Sequence, residues 1–326
     1  MRAIQIVSTD GPEAVELAEM PMPAPAPDQI LIRVRAAGVS FPELLQTRGL
    51  YQFKPPLPFT PGSEAAGEVV SAPDGSGFAP GDRVAAMVMI GGFAEYALAP
   101  LDGTFALPNQ LSLAEGAALP LNYLTAHFAL VTRGQIQPGE TLLVHGAGGG
   151  VGTAAIQTAK AFGAGRIIAV TSTDEKAAMA LSAGADDAVP SGDFLSAVRK
   201  LDGIDGVDIV VDPVGGDRFT DSLRCLRPHG RLLVIGFTAG DIPEVKVNRL
   251  LLNNISVVGV GWGAYALSHP GFMQEQWVEL RPHVESGAIK PPVGSEFALE
   301  DAAKALSLMD DRGALGKVVL TPSEGS

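Results

Sequence analysis

A glycine-rich segment, residues 145–152, is the part of the sequence best suited to bind a phosphate group. It reads HGAGGGVG and lies between an apolar run typical of a buried strand and a stretch with helical spacing. The G-x-G-x-x-G frame of dinucleotide sites falls on Ala147, Gly149 and Gly152. Glycine at 149 lets the backbone approach a pyrophosphate, and glycine at 152 lets the helix pack closely on the strand. We therefore predict that the helix start, with its free N–H groups and favourable dipole, binds a dinucleotide through Gly149, Gly150, Val151 and Gly152. The alternative is a tight turn without a ligand.

The next predicted strand, 167–171, indicates which nicotinamide coenzyme fits. NAD sites usually carry Asp or Glu at the end of this strand, where the carboxylate binds the ribose 2′-hydroxyl. Here the strand ends in Thr171 and Ser172, and Lys176 follows one helical turn later. Hydroxyl groups and an ammonium suit a 2′-phosphate, so the sequence favours NADPH over NADH. In the alternative interpretation, residues 174–175 are ordinary acidic residues of a helix first turn and Lys176 is a surface residue.

The elements that would position these residues begin near residue 122, where strand-like runs alternate with Ala-rich helical stretches. Near-continuous apolar strands that alternate with helices predict an α/β fold with a parallel sheet covered on both faces. The strands are predicted at 141–145, 167–170, 207–211, 231–235 and 255–260, and the helices at 151–162, 175–182 and after Asp217.

The first third of the chain has a β-rich pattern instead. Short apolar runs at 30–34 and 66–70 are separated by Pro and Gly residues that are typical of turns. Residues 41–48 have helical spacing, with Pro42 suited to a helix start, and the proline-rich segment 21–27 is predicted to be an extended surface arm. The tail returns to a mixed pattern, with helices near 273–284 and 299–309 and a final strand at 317–320.

The bulk composition narrows the class of protein. A chain of 326 residues, 46% hydrophobic and 18% charged, has enough material for two packed domains of roughly 100–200 residues each. Its net charge of −13 would repel phosphate backbones and anionic lipid, so neither nucleic acid nor a membrane is an expected partner. The single cysteine, Cys225, cannot form an intrachain disulfide. The N-terminus lacks the apolar core of a signal peptide, and no apolar run reaches about 18 residues. These features predict a cytoplasmic protein.

Short motifs are spread over nearly the whole chain, and together they are more specific than the glycine-rich segment alone. They are Ala36-Ala37-Gly38-Val39-Ser40, Pro61-Gly62-Ser63-Glu64-Ala65-Ala66-Gly67, Pro80-Gly81-Asp82-Arg83-Val84, Gly92-Phe93-Ala94-Glu95-Tyr96, Asp212-Pro213-Val214-Gly215-Gly216, Ile235-Gly236-Phe237, the run from Asn253 to Gly259, Trp262-Gly263-Ala264-Tyr265 and Gly316-Lys317-Val318-Val319. This set resembles the medium-chain dehydrogenase/reductase superfamily, and within it the zinc-independent quinone oxidoreductase group that includes zeta-crystallin.

The resemblance implies an organisation in two domains. Residues 1–122 and 265–326 would form a β-rich, GroES-like catalytic domain, and residues 123–264 would form a Rossmann domain, with its doubly wound parallel sheet, that binds NADPH. The coenzyme would lie in the cleft between the domains. The resemblance also implies a homodimer, in which the strand at 255–260 pairs edge to edge with its copy.

The positions at which zinc-dependent relatives carry metal ligands hold other residues here. By the resemblance, those relatives have Cys at the position of Ala37 and His at the position of Ser63. Alanine has no donor atom, serine is a poor zinc ligand, and the five histidines show no ligand spacing, so we expect no metal. Without a metal to polarise an alcohol, the acceptor should itself be electron-poor, as a quinone or an α,β-unsaturated carbonyl (an enone) is.

Two residues of the first domain are candidate catalytic residues by the same resemblance. Ser40 stands where the quinone reductases have asparagine, so its hydroxyl has a shorter reach and donates one hydrogen bond. Tyr51 matches a tyrosine that is implied as the proton donor of related enoyl-thioester reductases, and a phenol can protonate the product of hydride transfer. Alternatively, Tyr51 packs as a loop aromatic beside Pro55 and Pro56. Glu64 is interpreted as a buried acid with a partner, and no role is assigned to it.

Further coenzyme contacts are implied by the resemblance and by position. Segments 235–237 and 260–262 follow predicted parallel strands, whose carboxyl ends hold ligands in doubly wound sheets. Their backbones can bind the carboxamide, and Trp262 can form a wall of the site. In the alternative interpretations, Trp262 is a core residue and Lys317 is a solvated residue near the terminus. The implied contacts are Thr125, Val214, Ile235, Gly236, Phe237, Val260, Gly261, Trp262 and Lys317.

These observations lead to one main functional hypothesis and two alternatives. The chain is predicted to be an NADPH-dependent oxidoreductase that transfers hydride to a quinone or an α,β-unsaturated carbonyl, with the protein positioning the reactants and excluding water. The second hypothesis is an enoyl-thioester reductase, although the sequence shows no basic cluster for a long acyl carrier. The third is an NADPH-binding protein with a structural or regulatory role, including RNA binding, which the acidic composition disfavours.

Overall fold

The computed structural model describes residues 1–323, and within this range the chain forms two compact units. The first unit contains residues 1–121, 270–285 and the segment from 290 to the end of the described chain. The second contains residues 122–269 and 286–289. The C-terminal tail therefore folds with the N-terminal third of the chain.

Strands predominate in the first unit, and strands alternate with helices in the second. The strands are β1 (Arg2–Ile6), β2 (Val15–Glu19), β3 (Gln29–Val39), β4 (Glu64–Ser71), β5 (Arg83–Met87), β6 (Tyr96–Pro100), β7 (Thr104–Ala106), β8 (Thr141–His145), β9 (Arg166–Thr171), β10 (Asp187–Pro190), β11 (Val207–Asp212), β12 (Leu226–Val234), β13 (Ser256–Gly259), β14 (Val293–Ala298) and β15 (Lys317–Thr321). The α-helices are α1 (Phe41–Gln46), α2 (Leu113–Ala117), α3 (Pro120–His127), α4 (Gly150–Ala161), α5 (Asp174–Ser182), α6 (Phe194–Arg199), α7 (Phe219–Cys225), α8 (Asn248–Asn253), α9 (Trp262–Ser268), α10 (Phe272–Glu285) and α11 (Ala302–Asp310). A π-helical segment, Phe128–Arg133, continues α3.

The second unit is built on a parallel sheet. Its strand order is β10-β9-β8-β11-β12-β13, which becomes 3-2-1-4-5-6 when the strands are numbered within this unit, the order of a Rossmann fold. Strands β8, β9 and β11 are buried over almost their whole length, as expected for strands covered on both faces. The predicted doubly wound sheet is thus confirmed. Its order reverses between β8 and β11, and the carboxyl ends of strands at such a reversal are where these sheets hold ligands.

Several predicted elements of this unit agree closely with the structure, whereas some short elements were not predicted. Helices α4 and α5 and strand β13 lie within one residue of their predicted bounds. Strand β10 and helices α3, α6, α8 and α9 were not predicted. The four residues of β10 include Asp187 and Pro190, so their pattern is not that of a strand. Tertiary contacts define it instead: Val189 pairs with Val170 of β9, and the Asp187 carboxylate accepts a hydrogen bond from Arg166 at 2.7 Å.

The first unit contains a β-rich sheet of the predicted GroES-like type. Its order is β14-β15-β3-β4-β5-β7, with β6 also paired to β3, and its pairs are antiparallel except for β14 with β15. Strands β3 and β4 approach so closely that a Cβ atom at Gly67 would lie 1.9 Å from the carbonyl oxygen of Arg33. The core draws apolar side chains from both ends of the chain, among them Ile30, Val84 and Leu320.

The strand register brings three distant segments together at one end of this sheet. Strand β15 pairs with β3, with Val319 opposite Gly38. On its other side, Gly38 pairs with Glu64 of β4. Because β15 and β3 are antiparallel, Lys317 at the start of β15 lies beside Ser40, the residue that follows β3.

The other elements predicted for this unit are present in the structure. Helix α1 begins immediately after Ser40, with Pro42 in its first turn, as predicted. Segment 21–27 is neither helix nor strand and is largely exposed, which confirms the extended arm. The tail contains the predicted helices and final strand as α10, α11 and β15. None of the helices within residues 1–323 is both long enough and apolar enough to cross a membrane.

Candidate functional site

The glycine-rich loop joins β8 to α4 at the predicted place. Gly146 has a φ of 58°, a left-handed conformation that favours glycine, and Gly149 is the N-cap residue of the helix. The N–H of Gly149 donates to the carbonyl oxygen of Gly146 at 3.1 Å, which closes the turn. Thr153 donates from its backbone N–H and its hydroxyl to the Gly149 carbonyl, at 2.9 and 3.0 Å. These bonds fix the loop against the first turn of α4.

The space around the loop explains why glycine is required. A Cβ atom at Gly152 would lie 2.3 Å from the Gly146 carbonyl oxygen, so the helix packs on the strand end without room for any side chain. At Gly149 the nearest atom to a Cβ would be that same oxygen, at 3.5 Å, so the loop is open there. Helix geometry leaves the N–H groups of Gly150, Val151 and Gly152 without intrahelical partners. Together with the dipole of a helix of 12 residues, they form a cradle for an anion.

The predicted 2′-phosphate residues lie directly beside this loop. Thr173 is the N-cap residue of α5, and its hydroxyl accepts a hydrogen bond from the N–H of Lys176 at 3.3 Å. The Lys176 ammonium donates to the Ser172 hydroxyl at 3.5 Å. A Cβ atom at Gly148 would lie 2.6 Å from the Cβ of Lys176, so the loop and the lysine are in contact. Thr171 ends β9 and is buried.

The carboxyl end of β11 places Val214 next to the same loop. The Asp212 carboxylate accepts hydrogen bonds from the N–H groups of Val214 and Gly215, both at 2.9 Å, and so shapes the turn after the strand. Burial raises the pKa of Asp212, although these two bonds oppose the shift. A Cβ atom at Gly146 would lie 3.2 Å from a methyl carbon of Val214, which shows how close the two turns are.

The other predicted coenzyme residues of this unit follow neighbouring strands or lie on α3. Ile235 donates its N–H to the Asp212 carbonyl at 2.9 Å, so the 235–237 segment lies beside the end of β11. Val260 donates to the Val234 carbonyl at 2.9 Å, and Trp262 begins α9 with its side chain buried. Thr125 lies one turn after Asn122 on α3, and Asn122 in turn contacts the loop, because a Cβ at Gly150 would lie 2.6 Å from its Nδ2 atom.

His145, the last residue of β8, anchors the strand end from which the loop starts. It is fully buried, and its Nε2 atom lies 2.8 Å from the Ser222 hydroxyl on α7. Its ring also packs edge-on against Phe194. Burial, with a smaller effect of the Arg218 charge, lowers the pKa of His145 to about 3. The imidazole is therefore neutral in the folded protein.

The first unit contains a buried ionic cluster around Ser40. The Lys317 ammonium forms an ion pair with the Glu64 carboxylate and donates to the Ser40 hydroxyl at 2.5 Å. The other oxygen of Glu64 accepts a hydrogen bond from the N–H of Leu121 at 2.7 Å. Lys317 is only 3% exposed, so the interpretation of this residue as a solvated lysine near the terminus is wrong. Its assignment to the coenzyme stays a prediction.

A second buried carboxylate, Glu43, orders the other side of this cluster. It accepts hydrogen bonds from the N–H of Ser40 at 2.9 Å, from the N–H of Ser63 at 2.9 Å and from the Ser63 hydroxyl at 2.5 Å. Burial raises the pKa of Glu43, while the Ser63 hydrogen bond and the Lys317 charge oppose the shift. Ser63, at the position where zinc-dependent relatives carry histidine, thus serves as a donor to a carboxylate.

Tyr51 lies partly buried in the loop after α1. Burial raises the pKa of its phenol, and the negative charge of Glu43 raises it further. Like an ordinary phenol, it is protonated at neutral pH, and the raised pKa makes it a weaker acid.

The sequence reasoning missed two residues of these sites and left a third without a role. Glu43 could have been found, because Ser40 and Glu43 have the S-x-x-E spacing of a capping box. Glu64 was predicted to be a buried acid with a partner, which the structure confirms, but the partner could not be named. Asn122 carried no signal, since nothing in the sequence indicates which residue of α3 contacts the loop.

The comparisons with known proteins agree with this architecture. Residues 26–109 match the alcohol dehydrogenase GroES-like domain, and residues 150–280 match the zinc-binding dehydrogenase family. Quinone oxidoreductase-like protein 2 of Mus musculus is 38% identical over 309 residues, which are 94% of this chain and 87% of the mouse protein. The crystal structure of a probable oxidoreductase from Mycobacterium abscessus has a TM-score of 0.90 at 44% identity, covering 99% of both chains. The quinone oxidoreductase of Thermus thermophilus, also solved in complex with NADPH, has a TM-score of 0.85 at 34% identity, covering 98% of this chain and 100% of that one.

Fold, site and relatives define an oxidoreductase. The chain belongs to the medium-chain dehydrogenase/reductase superfamily, in its zinc-independent quinone oxidoreductase group. In the part of the chain that the structure describes, no group of three or more His, Cys, Asp and Glu side chains is arranged to hold a metal ion.

His145 should make the protein less stable as the solution is acidified. Its folded pKa of about 3 lies below the ordinary value of 6.5, so the unfolded chain takes up the proton first. The stabilisation is present above the unfolded pKa and is lost as the pH falls towards the folded pKa. From about pH 7 to about pH 5, the loss amounts to about 2 kcal/mol. Urea unfolding at both pH values should show a smaller fall for His145→Gln than for the wild type. An equal fall in the two proteins would contradict the assignment.

Proposed function

We propose that this oxidoreductase transfers hydride from NADPH to a quinone or an α,β-unsaturated carbonyl without a metal ion. The observation that carries the proposal is the contact between the glycine-rich loop and Lys176. Gly148 packs against the Cβ of Lys176, and the lysine ammonium reaches the Ser172 hydroxyl. An anion cradle with a cation and hydroxyl groups at its edge suits a coenzyme that carries a 2′-phosphate in addition to its pyrophosphate.

The residues present fit such a coenzyme part by part. The open space at Gly149 and the free N–H groups at the start of α4 suit the pyrophosphate, and Thr171, Ser172 and Lys176 suit the 2′-phosphate. The backbones at 235–237 and 260–262, with Thr125 and Val214, would bind the ribose and the carboxamide. When bound, NADPH supplies a hydride from C4 of its nicotinamide and becomes NADP⁺. The Thermus thermophilus relative, solved in complex with NADPH, supports this choice of coenzyme.

The acceptor needs one hydride, which carries both electrons, and one proton. In an enone, the hydride forms a C–H bond at the β-carbon, the alkene electron pair moves, and negative charge collects on the carbonyl oxygen. A proton then completes the saturated carbonyl compound. Tyr51 is the candidate donor, because a phenol carries its proton at neutral pH and an enolate is basic enough to accept it. The phenol would then be reprotonated from water.

The protein's own contribution to this reaction is mainly electrostatic and positional. Neither Ala37 nor Ser63 offers the ligands that hold a catalytic zinc, so polarisation of the acceptor oxygen must come from hydrogen-bond donors. Ser40 is the candidate in the first unit. Holding the acceptor still against the coenzyme contributes further, because orientation lowers the entropy cost of the transfer.

Replacing Lys176 by Ala should weaken NADPH binding by about tenfold, because a hydrogen bond to a charged phosphate contributes about 1.5 kcal/mol. NADH lacks the 2′-phosphate, so both proteins should bind it equally. Titration calorimetry gives the four dissociation constants. Lys176→Arg keeps the cation and is the matched control. Equal weakening for both coenzymes, or no weakening for NADPH, would refute the assignment.

The wild type should oxidise NADPH when mixed anaerobically with benzoquinone or cyclohexenone, followed by the absorbance of the reduced nicotinamide. Tyr51→Phe should lower kcat with cyclohexenone by about a hundredfold, since a positioned acid contributes that much, and should leave the Kd of NADPH unchanged. Absence of turnover above the uncatalysed rate with both acceptors would refute the proposed function. Faster turnover of crotonyl-CoA would instead favour the enoyl-thioester reductase.

We also propose that the protein forms a homodimer through β13. Among the described residues, this strand ends the sheet and pairs only with β12, so its outer edge is available to a second copy. The helix that directly precedes it, α8, carries Leu251 and Leu252 with about three-quarters of each side chain exposed. An open strand edge next to exposed leucines is typical of a surface that is covered in an assembly.

Sedimentation velocity should show the wild type as a dimer at micromolar concentration. The double variant Leu251→Glu with Leu252→Glu should be a monomer, because charged side chains are costly to bury in an interface. Val278→Glu on α10 changes an equally exposed apolar residue of the first unit and should leave the dimer intact. A monomeric wild type would refute the homodimer.

A further inference from the structure

The buried ammonium of Lys317 is energetically expensive and therefore calls for an explanation. Removing a lysine and a glutamate from water costs several kcal/mol for each ion, and the attraction within the pair often only balances that cost. Apolar residues of similar size would stabilise the fold at least as well. Yet Glu64 is fully buried, and Lys317 is almost so.

Position 38 has no room for a side chain, because the Ala117 carbonyl oxygen and this ion pair surround it. A Cβ atom at Gly38 would lie 2.6 Å from a carboxylate oxygen of Glu64 and 2.7 Å from the Cε of Lys317. Any other residue at 38 would therefore displace the pair. Glu64 is held from its far side by the N–H of Leu121, so its orientation is fixed and the ammonium is aimed at the end of β3.

The ammonium reaches the Ser40 hydroxyl there, and the hydroxyl proton itself is only weakly held. Ser40 Oγ accepts from Lys317 at 2.5 Å, whereas its own bond to Glu64 is 3.4 Å long, near the limit for a hydrogen bond. The backbone N–H of Ser40 is fixed by Glu43 at 2.9 Å. Ser40 is buried but keeps 6% of its surface exposed, whereas Glu64 is fully buried.

A hydroxyl that accepts a hydrogen bond from a cation becomes a stronger donor, because hydrogen bonds in a chain polarise one another. We propose that Lys317 is a positioning residue of the reaction, whose buried ammonium, aimed by Glu64, turns the Ser40 hydroxyl into an electrophilic donor to the acceptor's carbonyl oxygen. This inference rests on the proposed function and specifies how the acceptor is polarised.

Ser40 contributes a hydrogen bond to the negative charge that develops on the carbonyl oxygen of the acceptor. When the hydride forms the new C–H bond of an enone, the alkene electron pair moves and the carbonyl oxygen becomes an enolate oxygen. Ser40 keeps its proton and donates a hydrogen bond to that oxygen, giving up the long bond to Glu64. The proton that completes the product comes from Tyr51. Preorganised donors of this kind lower the barrier, because the charge that they stabilise is already developing in the transition state.

The experiment compares two acceptors that place different charge on oxygen. Cyclohexenone is a weak electrophile and needs its enolate oxygen stabilised, whereas benzoquinone delocalises the charge and needs less help. Ser40→Ala should lower kcat by about thirtyfold with cyclohexenone and by less than about threefold with benzoquinone, since one such donor contributes tenfold or more where charge is localised. Ser40→Thr keeps the hydroxyl and should recover most of the activity.

The role of Lys317 is tested with a double variant that leaves no unpaired buried charge. Lys317→Met combined with Glu64→Gln removes both charges, and the Gln carbonyl can still accept from Leu121. This double variant should show the same acceptor-dependent loss, and adding Ser40→Ala should lower kcat less than about twofold further, since the lysine acts through the hydroxyl. Lys304→Met, an exposed lysine on α11, is the matched control and should retain wild-type kcat.

The Kd of NADPH, measured for each variant, separates this proposal from the predicted coenzyme role of Lys317. Unchanged NADPH affinity with an acceptor-dependent loss of kcat supports the proposal. Equal losses with both acceptors, or additive losses in the combined variant, overturn it while the proposed function stands. If the double variant does not fold, the proposal is tested by Ser40→Ala and Ser40→Thr, and equal losses of kcat with the two acceptors overturn it. A wild type that reduces neither acceptor overturns both.

Discussion

The close approach of α4 to the end of β8 is the constraint on which the coenzyme half of the molecule depends. The first turn of the helix passes so near the Gly146 carbonyl that position 152 has no room for a Cβ atom. This contact points the free N–H groups of the helix at the carboxyl edge of the parallel sheet, where the reversal of strand order between β8 and β11 leaves room for a ligand. The hydroxyls and ammonium after β9, and the turn at Val214, gather around that helix start because the strands that carry them end at the same edge.

In the first unit, the free-energy cost of burying charged side chains is offset by ion pairs and hydrogen bonds within one cluster. Lys317 and Glu64 neutralise each other, and Glu43 is surrounded by donors from Ser40 and Ser63. Ser63, one of the two positions at which the resemblance implies a zinc ligand in zinc-dependent relatives, is thus part of a compact network of hydrogen bonds. This network holds Ser40 in place through both its backbone N–H and its hydroxyl.

Local pattern predicted the second unit well and the first unit less completely. Helices α4 and α5 could be predicted because a strand, a turn and a helical period follow one another within a few residues. Strand β10 was not, because Asp187 and Pro190 disfavour a strand and only pairing with β9 creates it. The residues predicted to bind the 2′-phosphate, Thr171, Ser172 and Lys176, lie within six positions of one another, so a local pattern could indicate them. Glu43 was overlooked although its spacing from Ser40 was visible, and Asn122 had no local signal at all.

The sequence by itself determined the parallel sheet, the glycine-rich loop between a strand and a helix, and the family to which the chain belongs. These properties depend on residues that are neighbours in the chain, so their chemistry can be derived from spacing. Only the tertiary structure decided that Lys317 is buried and which carboxylate faces it, since the two residues are 253 positions apart. Pairing of β15 with β3 brings them together, and no local pattern contains the register of strands that come from opposite ends of a chain.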